Sequence, residues 1–356
     1  GAAIRVFPHN NLDRLASQLR WAQRQTGVDG RIVVATESVF SMDGDLAPLE
    51  AIVALTKQHD ALLLVDEAHG LRLVEADGSS APFGEMLAAG YIHDPPDHSG
   101  GANGISLEPD GEHVLIADIH HGGIFRVHTG SGAAERVYQH AYGVNTAVRD
   151  STGAIWFTQS ARNTPEGGAA AMWAEVDIPT PGGALLRLGM VDGQLATEAE
   201  VLVDGLYYAN GVAIDEEHGN LYLAETVGGR VLRYPVDVEA GTLGEREVVL
   251  EGVIPDNLEL DGRGHVWTTL PLRNELIAID TATGEVHSAF RTLTAEQEAV
   301  VAEFVRRGET ATPRLELFGP ASWEPLPGAV TGVILGSDGR PEYLSGLGND
   351  LVRLPR

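Results

Sequence analysis

Two different patterns of hydrophobic and polar residues divide the chain near residue 70. From about residue 71 to the end, short runs of alternating apolar and polar residues are separated by turns rich in Gly and Asp. This pattern is typical of short antiparallel β-strands. Residues 160–182, rich in Ala, Gly and Pro, interrupt it as a predicted long loop, and residues 293–308 as a predicted helix with a capping box at Thr294 and Gln297.

Residues 10–60 follow the pattern of an α/β segment instead. A helix that Asn11 or Asp13 can cap is predicted first, with Leu15 and Leu19 on its apolar face. A buried strand at residues 31–38, a helix at 45–57 and a strand at 61–70 follow. The sequence therefore predicts two parts, an α/β segment over residues 1–70 and a β domain over residues 71–356.

Four segments of the β domain begin an inner strand in the same way. They read GANGISLE (101–108), GVNTAVRD (143–150), YANGVAID (208–215) and IPDNLELD (254–261). Each is followed by an apolar strand, a turn and a second strand. The unit recurs after 42 residues (103 to 145) and after 46 residues (210 to 256), and a repeat of this length predicts the blades of a β-propeller. The shared register aligns the side-chain oxygens of Asn103, Asn145, Asn210 and Asp256.

Residues at one register of the innermost strands of a propeller converge on its central channel. Asn and Asp gathered there predict an oxygen cage, which suits a hard cation such as calcium. Two simpler interpretations remain open. Asn103 and Asn210 precede glycines and can favour a turn with positive φ, and Asp256 before Asn257 can form an ordinary Asx turn.

Composition narrows the classes of function. The formal net charge of −27 disfavours binding to nucleic acid or to anionic membranes and is also what an acidic, solvated surface produces. The chain has no Cys, which excludes disulfides and thiolate sites. No apolar stretch is long enough to span a membrane. The first residues lack the basic and apolar regions of a signal peptide, which favours a cytoplasmic location.

The motifs ESVFSMDGDLAPL (37–49) and LLLVDEAHG (62–70) resemble the α-oxoamine synthases, a family of pyridoxal-phosphate enzymes, over about residues 4–70. The resemblance implies that Asp66 pairs with the pyridinium nitrogen and that His69 contacts the phenolic oxygen. A pyridoxal enzyme needs a lysine for its Schiff base. The chain has a single lysine, Lys57, which precedes the motif, so we do not expect pyridoxal phosphate as a cofactor.

The blade motifs, and the last segment EYLSGLGNDLVRLPR, resemble the SMP-30/gluconolactonase/strictosidine-synthase-like (paraoxonase-like) superfamily. The resemblance implies a mainly β fold, a six-bladed propeller with calcium in its channel. Carried over by motif, the implied metal ligands are Asn145, Asn210, Asp256 and Asn257. A His that faces the metal corresponds to His120 or its neighbour His121.

The first blade departs from that family. One repeat before Asn103 lies inside the synthase-like segment, where the expected Glu-containing motif is absent. Two possibilities follow for the first blade. It is complete, or its inner strand is missing or replaced by the strand predicted at residues 31–38. Glu37, Glu67 and Glu85 are weak substitutes for the missing ligand.

The resulting hypothesis is a calcium-dependent hydrolase of lactones or esters. Its small-molecule substrate binds at a metal that acts as a Lewis acid. Asp256 or His120 serves as general base. The alternatives are a metal-free propeller that binds a small molecule or partner, and an inactive fusion fragment. Oligomeric state is not predicted.

Overall fold

The structure is a computed structural model, and it describes residues 5, 7, 11–25, 32–37, 47–59, 61–66, 86, 88–91, 101–326, 328–336, 338–347 and 351–354. The predicted boundary at residue 70 and the candidate ligands Glu67 and Glu85 lie outside these residues.

The N-terminal part is a small α/β unit. It consists of α1 (Leu12–Gln25), β1 (Val33–Glu37), α2 (Leu49–Gln58) and β2 (Leu62–Asp66). The predicted cap at Asn11 is confirmed, because its Oδ1 accepts a hydrogen bond from the Arg14 backbone at 2.9 Å. The apolar faces of α1 and α2 pack on β1 around Leu15, Leu19 and Ile52.

β1 and β2 pair in parallel. Consecutive strands of a propeller blade pair antiparallel, so the prediction that residues 31–38 replace the inner strand of a blade is wrong. The helix between these two strands is the crossover that a parallel pair needs.

The remaining strands form five antiparallel blades. Blade 1 contains β3 (Ala102–Leu107), β4 (His113–Asp118), β5 (Gly123–His128) and β6 (Ala134–Gln139). Blade 2 contains β7 (Ala147–Arg149), β8 (Ile155–Gln159), β9 (Gly183–Leu188) and β12 (Glu200–Leu206), with a small hairpin of β10 (Met190–Val191) and β11 (Gln194–Leu195). Blade 3 contains β13 (Ala209–Asp215), β14 (Asn220–Glu225), β15 (Arg230–Asp237), β16 (Thr242–Leu243) and β17 (Glu247–Glu251). Blade 4 contains β18 (Leu258–Leu260), β19 (His265–Leu270), β20 (Glu275–Asp280) and β21 (Val286–Arg291). Blade 5 contains β22 (Val330–Leu335), β23 (Pro341–Gly346) and β24 (Val352–Arg353).

The prediction of a mainly β, propeller-like fold is confirmed, but the described part of the chain contains five blades rather than six. Four of the hydrophobic clusters each join two consecutive blades. The cluster between blades 2 and 3, for example, packs Trp156 against Val212 and Leu221. The other three lie between blades 1 and 2, 3 and 4, and 4 and 5.

Blades 1 and 5 each leave one face open. Ile105, on the inner strand of blade 1, is 47% exposed, and Leu107 is 66% exposed. Ile334, on the inner strand of blade 5, is 45% exposed. Among the residues that the structure describes, no hydrophobic cluster joins these two faces. Met86 and Tyr91 pack on β4 and β5 of blade 1, against Ile116 and Phe125, and the Tyr91 hydroxyl accepts a hydrogen bond from the Ala102 backbone at the start of β3 at 3.0 Å.

The helices lie in two insertions, one between β8 and β9 of blade 2 and the other between blades 4 and 5. Residues 160–182 contain α3 (Gly168–Asp177), so the prediction of a long loop is wrong there. The run of alanines supplies helix propensity although no side-chain cap marks its start. In the second insertion, α4 (Ala295–Glu309) has the predicted capping box of Thr294 and Gln297, and the short α5 (Pro320–Trp323) follows.

The buried Arg314 ties these helices together. Its Nε donates to the Val176 carbonyl of α3 at 2.8 Å, and its Nη1 donates to the Phe304 carbonyl of α4 at 3.2 Å. Burial lowers the pKa of Arg314 to about 10, while the Asp177 carboxylate opposes this change. Met172 and Val176 of α3 and Phe304 of α4 share a cluster with Ile119, Tyr208 and Leu272. These helices therefore cover the end of the propeller at which the inner strands begin.

No helix in the described ranges is both long and apolar enough to cross a membrane.

Candidate channel site

The inner strands of all five blades place one residue at the same register. Strand pairing sets this register, because the residue two positions later in each blade faces the second strand: Ile105 pairs with Ile116, Val212 with Leu223 and Val333 with Leu344. Counting back two positions from these and from their counterparts gives the five register residues, which are Asn103, Asn145, Asn210, Asp256 and Thr331.

Glycine follows this position in three blades because the next inner strand lies very close. A Cβ at Gly104 would lie 2.6 Å from the Asn145 carbonyl oxygen, and one at Gly211 would lie 2.4 Å from the Leu258 nitrogen. Neither glycine is among the residues with positive φ. The alternative that these Asn-Gly pairs are left-handed turns is therefore wrong, and the glycines allow neighbouring blades to approach.

One hydrogen-bonded chain links the register residues Asn103, Asn145 and Thr331 of blades 1, 2 and 5 through Thr146 and Asn257, the residues that follow the register position in blades 2 and 4. Asn103 Nδ2 donates to Asn145 Oδ1 at 2.9 Å, and the Thr146 hydroxyl contacts Asn145 Oδ1 at 3.1 Å and Asn257 Oδ1 at 3.3 Å. Asn257 Nδ2 then donates to the Thr331 carbonyl at 2.9 Å. Because Thr146 belongs to blade 2 and Asn257 to blade 4, these side chains meet across the channel.

Asn210 and Asp256 form a second pair within the same channel. The Asn210 side chain donates to the Thr226 hydroxyl at 3.1 Å. It also lies close enough to the Asp256 carboxylate to lower the pKa of that group. Asn210 is buried, and its Oδ1 has no hydrogen-bond partner among the described residues. An unpaired buried amide oxygen is costly, so this atom is a candidate for contact with a bound cation or donor.

Burial raises the pKa of Asp256 to about 7, although hydrogen bonds from Asn210 and from the Asn257 backbone oppose the change. The direction follows from desolvation of a carboxylate that has no cationic side chain among the causes of its shift. Asp256 keeps some exposed surface, so it lines the channel rather than the core. A carboxylate held in this way binds a proton or a metal ion more readily than one in water.

Tyr208 and Ser160 lie beside these residues at the covered end of the channel. Ser160 accepts from Asn145 Nδ2 at 2.9 Å and donates to the Ala209 carbonyl at 2.7 Å. Burial raises the pKa of the Tyr208 phenol, and the carboxylates of Asp256 and Glu175 raise it further. The influence of the two carboxylates indicates that the phenol lies near Asp256 and Glu175.

His120 and His121 lie in the turn that ends β4. The buried Asp118 carboxylate organises this turn, because its Oδ1 accepts from the backbone nitrogens of His120 and His121 at 3.0 and 3.1 Å. The His121 Nδ1 lies 3.2 Å from Asp118 Oδ2. The Asn163 side chain also binds the Ile119 carbonyl at 2.8 Å, which holds the turn beside α3.

A second group of possible metal ligands lies in the turn between β3 and β4, at the end of the blade opposite the start of its inner strand. The ligand atoms of Glu108, Asp110 and His113 are within 4.8 Å of one another. Arg126 already pairs with both carboxylates, at 2.6 Å to Glu108 and 2.8 Å to Asp110, and Arg149 binds the other oxygen of Glu108 at 2.6 Å. These guanidinium groups occupy the oxygens that a metal would need.

The structure thus brings Asn145 and Asn257 together through Thr146, and it places Asn210 near Asp256. His120 is placed in the neighbouring turn. Sequence reasoning missed Thr146, Ser160, Tyr208 and Thr331. In the segment VTGVIL (330–335), a polar residue is followed by glycine and then by three apolar residues, as in the other inner strands that carry Asn-Gly. This signal could have revealed Thr331.

Comparison with known proteins identifies the propeller. Residues 120–297, half of the chain, match the SMP-30/Gluconolactonase/LRE-like region. The chain therefore belongs to this family. A gluconolactonase structure from Xanthomonas campestris is 17% identical, covers 71% of each chain and has a TM-score of 0.47. The calcium-binding protein regucalcin from Agrobacterium tumefaciens is 17% identical over 65% of this chain and 69% of its own, with a TM-score of 0.42.

The N-terminal part is similar to a different family, and the resemblance to α-oxoamine synthases is confirmed. Residues 1–86 match Aminotransferase class I and II. The 8-amino-7-oxononanoate synthase of Geobacter sulfurreducens is 48% identical over 75 residues, which are 20% of this chain and 17% of that enzyme. The enzyme of Pelobacter propionicus is 44% identical over 94 residues, 26% of this chain and 23% of its own. The chain spans about a fifth of the length of the curated relatives it matches.

The residues present do not fit pyridoxal phosphate. Lys57 is the only lysine and lies exposed in the last turn of α2, before the VDEAHG motif. Asp66 is the last residue of β2, and His69 lies outside the described residues.

The channel residues do fit a calcium ion in the chemistry of their donors. Asp256 supplies a carboxylate, Asn210 supplies an unpaired amide oxygen, and Asn145 and Asn257 supply two further amide oxygens. Calcium accepts such mixed oxygen ligands. Asp256 is the only carboxylate among the five register residues. The Asn145 and Asn257 oxygens already accept hydrogen bonds, which a bound ion would have to displace.

Proposed function

We propose that the protein is a calcium-dependent hydrolase of lactones or esters, whose site is the covered end of the propeller channel. The observation that carries this proposal is the pairing of Asp256, a desolvated carboxylate, with Asn210, whose buried Oδ1 lacks a partner. Membership of the SMP-30/Gluconolactonase/LRE-like family supports the same class of reaction.

Asp256, Asn210, Asn145 and Asn257 would hold the ion. A bound calcium ion supplies a Lewis acid that polarises the acyl oxygen of the substrate. Asp256 takes the proton from the attacking water as the water oxygen bonds to the acyl carbon. When the bond from that carbon to the ring or ester oxygen breaks, Asp256 returns the proton to that oxygen, which becomes the hydroxyl of the opened lactone or of the released alcohol. Asn210 orients Asp256, and Thr226 orients Asn210 through its hydroxyl. The cover of α3 and α4 limits the access of bulk water to this end of the channel.

We also infer that the ring of this propeller has room for a sixth blade between blades 5 and 1. Two observations support this: the open face of blade 1 at Ile105 and the open face of blade 5 at Ile334. A carboxylate from that position would complete the cation site, as the first-blade Glu does in the family pattern.

The test of the calcium site compares Asp256→Asn with Asp192→Asn. The control removes the same charge from the exposed turn between β10 and β11, where asparagine suits the left-handed backbone (φ 52°). We expect calcium to raise the unfolding temperature of the wild type and of the control but not of Asp256→Asn, because a ligand that binds only the folded state stabilises it. Calcium-dependent lactone hydrolysis should disappear only in Asp256→Asn.

Activity that persists in Asp256→Asn or after complete chelation would contradict the proposal. A wild type that gains no thermal stability from calcium and hydrolyses no lactone would favour the second candidate, a metal-free propeller that binds a small molecule. One observation favours this second candidate: the hydrogen bonds from Asn103 to Thr331 form a continuous chain in which no ion takes part.

The role of His120 is tested separately. If His120 is the general base instead of Asp256, His120→Ala should lower kcat by roughly 10²–10⁴-fold and leave the calcium affinity unchanged. If Asp256 is the base, His120→Ala should retain most of its activity. The matched control is His128→Ala, which removes a histidine from the outer end of β5.

A further inference from the structure

A cleft separate from the channel lies between α4 and the ends of blades 3 and 4. Its volume of about 460 Å³ lies within the range of pockets that hold small organic ligands. One wall is a stripe of α4 formed by residues 298, 301, 302, 305, 306 and 309, which recur at helical spacing. The opposite wall comes from Arg273 after β19, from Arg291 and Leu293 at the end of β21, and from Gly252 after β17.

Part of the lining of this cleft is apolar. Val301 is buried and Leu293 is half-buried, while Val305 remains 41% exposed. A single exposed valine is ordinary. Here, however, the three side chains share one concave surface with Ala302, and hydrocarbon that covered this surface would be removed from water. The cleft therefore offers a binding surface for an alkyl chain.

Three arginines line the same cleft, and two of them already have carboxylate partners. Arg291 Nη2 lies 2.9 Å from Glu298 Oε1, and the Nε and Nη2 atoms of Arg306 each lie 2.7 Å from an oxygen of Glu303. The Arg273 side chain makes no hydrogen bond or ion pair with any residue that the structure describes. Acidic partners are not scarce in a chain with 51 Asp and Glu residues and 24 Lys and Arg residues. Arg273 is therefore available to a ligand.

The charges that line the cleft favour a ligand with a single negative group. Three arginines and two glutamates line it, so its local charge is +1 in a chain whose formal charge is −27. At physiological ionic strength, charges more than about 8 Å away are largely screened, so the local balance decides. Because only one of the three guanidinium groups lacks a partner, one carboxylate fits this cleft better than a multiply charged phosphate ester.

We propose that this cleft is a binding site for a straight-chain carboxylate, whose charged group pairs with Arg273 and whose alkyl chain lies along Val301 and Val305. A guanidinium presents two parallel N–H donors that match the two oxygens of a carboxylate. A ligand held there contacts α4 on one side, while Phe304 of the same helix packs in the cluster that covers the channel. The site does not depend on the proposed hydrolase function, because no residue of the cleft takes part in that reaction.

Isothermal titration calorimetry of the full chain tests the site with octanoate, decanoate, dodecanoate and the uncharged decanol. A calcium chelator is present throughout, so that a cation in the channel takes no part. We expect the dissociation constant to fall by about fourfold for each added methylene until the cleft is filled. Arg273→Gln should weaken decanoate by about tenfold or more, since a hydrogen bond to a charged group is lost, and should leave decanol unchanged.

Two controls are matched to the two parts of the site. Arg263→Gln removes the same charge from the exposed turn between β18 and β19, at the opposite end of blade 4, and should bind decanoate like the wild type. Val305→Asp should weaken decanoate by about tenfold or more, because the new carboxylate repels the ligand and competes for Arg273. Val286→Asp alters a valine of similar exposure, 40%, at the other end of β21 and should not change binding.

Equal binding of decanoate by the wild type and by Arg273→Gln would overturn the inference, as would no binding by the wild type at a ligand concentration of about 1 mM. An equal loss in Arg263→Gln would also overturn it, because the ligand would then sense net charge and not this cleft. Asp256→Asn should bind decanoate like the wild type. A loss of binding in that variant would move the carboxylate to the channel and contradict the inference.

Discussion

Blade 3 and blade 1 have the same inner-strand pattern but different surroundings. In blade 3, neighbouring blades cover both faces, and Val212 and Leu221 are almost fully buried on one side while Ala213 and Tyr222 are buried on the other. In blade 1, one face packs on blade 2 and the inner part of the other face is open. The burial of a side chain in this fold is therefore decided by the neighbouring blade and not by the strand that carries it.

The same comparison explains why the channel residues form two groups. Blade 3 sits between two others, so Asn210 meets Asp256 of the next blade in a buried setting. Asn103, on blade 1, is exposed but still reaches Asn145 on its closed side. The open faces of blades 1 and 5 are where a further blade, and a further ligand for a cation, would be added.

The largest expected effect comes from charge substitutions at equivalent positions. Val212 and Ile105 occupy the same register, and their exposed fractions are 1% and 47%. Val212→Asp should lower the free energy of unfolding by at least about 4 kcal/mol, because it buries an unpaired charge. Ile105→Asp should change it by less than about 1 kcal/mol, as expected for an exposed position. Urea unfolding followed by circular dichroism measures both.

An equally large loss in Ile105→Asp would break the comparison. It would mean that the open face of blade 1 is covered in solution, by parts of this chain outside the described residues or by a second copy. Analytical ultracentrifugation of the wild type and of Ile105→Asp would distinguish these two explanations.

A smaller effect is expected from the glycines that follow the register residues. A Cβ at Gly211 would lie 2.4 Å from the backbone nitrogen of Leu258 in blade 4. One at Gly332 would come close only to a side-chain atom, Ser345 Oγ at 2.5 Å, with Asn257 Nδ2 at an ordinary contact distance of 3.8 Å. Backbone cannot yield without moving a blade, but a serine side chain can rotate. Gly211→Ala should cost about 1–3 kcal/mol of unfolding free energy. Gly332→Ala should cost clearly less.

The two variants share one control and one measurement. Gly319→Ala introduces a Cβ with no atom of the described residues within 4 Å, so it reports the effect of alanine alone. Chemical denaturation of the three proteins would sharpen the comparison. Equal losses in Gly211→Ala and Gly332→Ala would show that the Ser345 side chain cannot move away from the new Cβ, and the contrast between the two glycines would then be lost.

The sequence predicted the register of the channel residues because a polar residue followed by glycine is a local signal with a geometric cause. The close approach of inner strands requires glycine at 104 and 211, and the sequence shows it directly. Thr331 was missed because it carries no amide or carboxylate and follows an insertion that contains α4 and α5. The roles of Ser160 and Tyr208 depend on contacts between blades, which no local pattern encodes.

The number of blades was predicted from a family resemblance and not from the residues of this chain. The segment that should supply the first blade belongs to a parallel α/β unit, whose pairing of β1 with β2 depends on the helix between them. α3 was missed because its start has glycines and no side-chain cap, so the helical propensity of its alanines was the only signal.

The smallest expected effect concerns the closed face of blade 1. His140 lies in the connection between blades 1 and 2, where its ring packs on Phe157 at 5.3 Å and on Tyr138 at 6.2 Å, and its Nε2 is 2.9 Å from Gln159 Oε1. Burial lowers the pKa of His140 below its ordinary value of 6.5, against the opposing effect of Gln159. The unfolded chain therefore binds a proton more readily than the folded one, and stability is lost as the pH falls below about 6.5. The glutamine in His140→Gln cannot be protonated, so the unfolding temperature of this variant should fall less between pH 7 and pH 5 than that of the wild type.

The control His218→Gln removes a surface histidine whose pKa is raised by Asp215, so stability from this pair is present at low pH and lost as the pH rises. Parallel acid dependence in the wild type and in His140→Gln would show that the contact between blades 1 and 2 does not sense this proton.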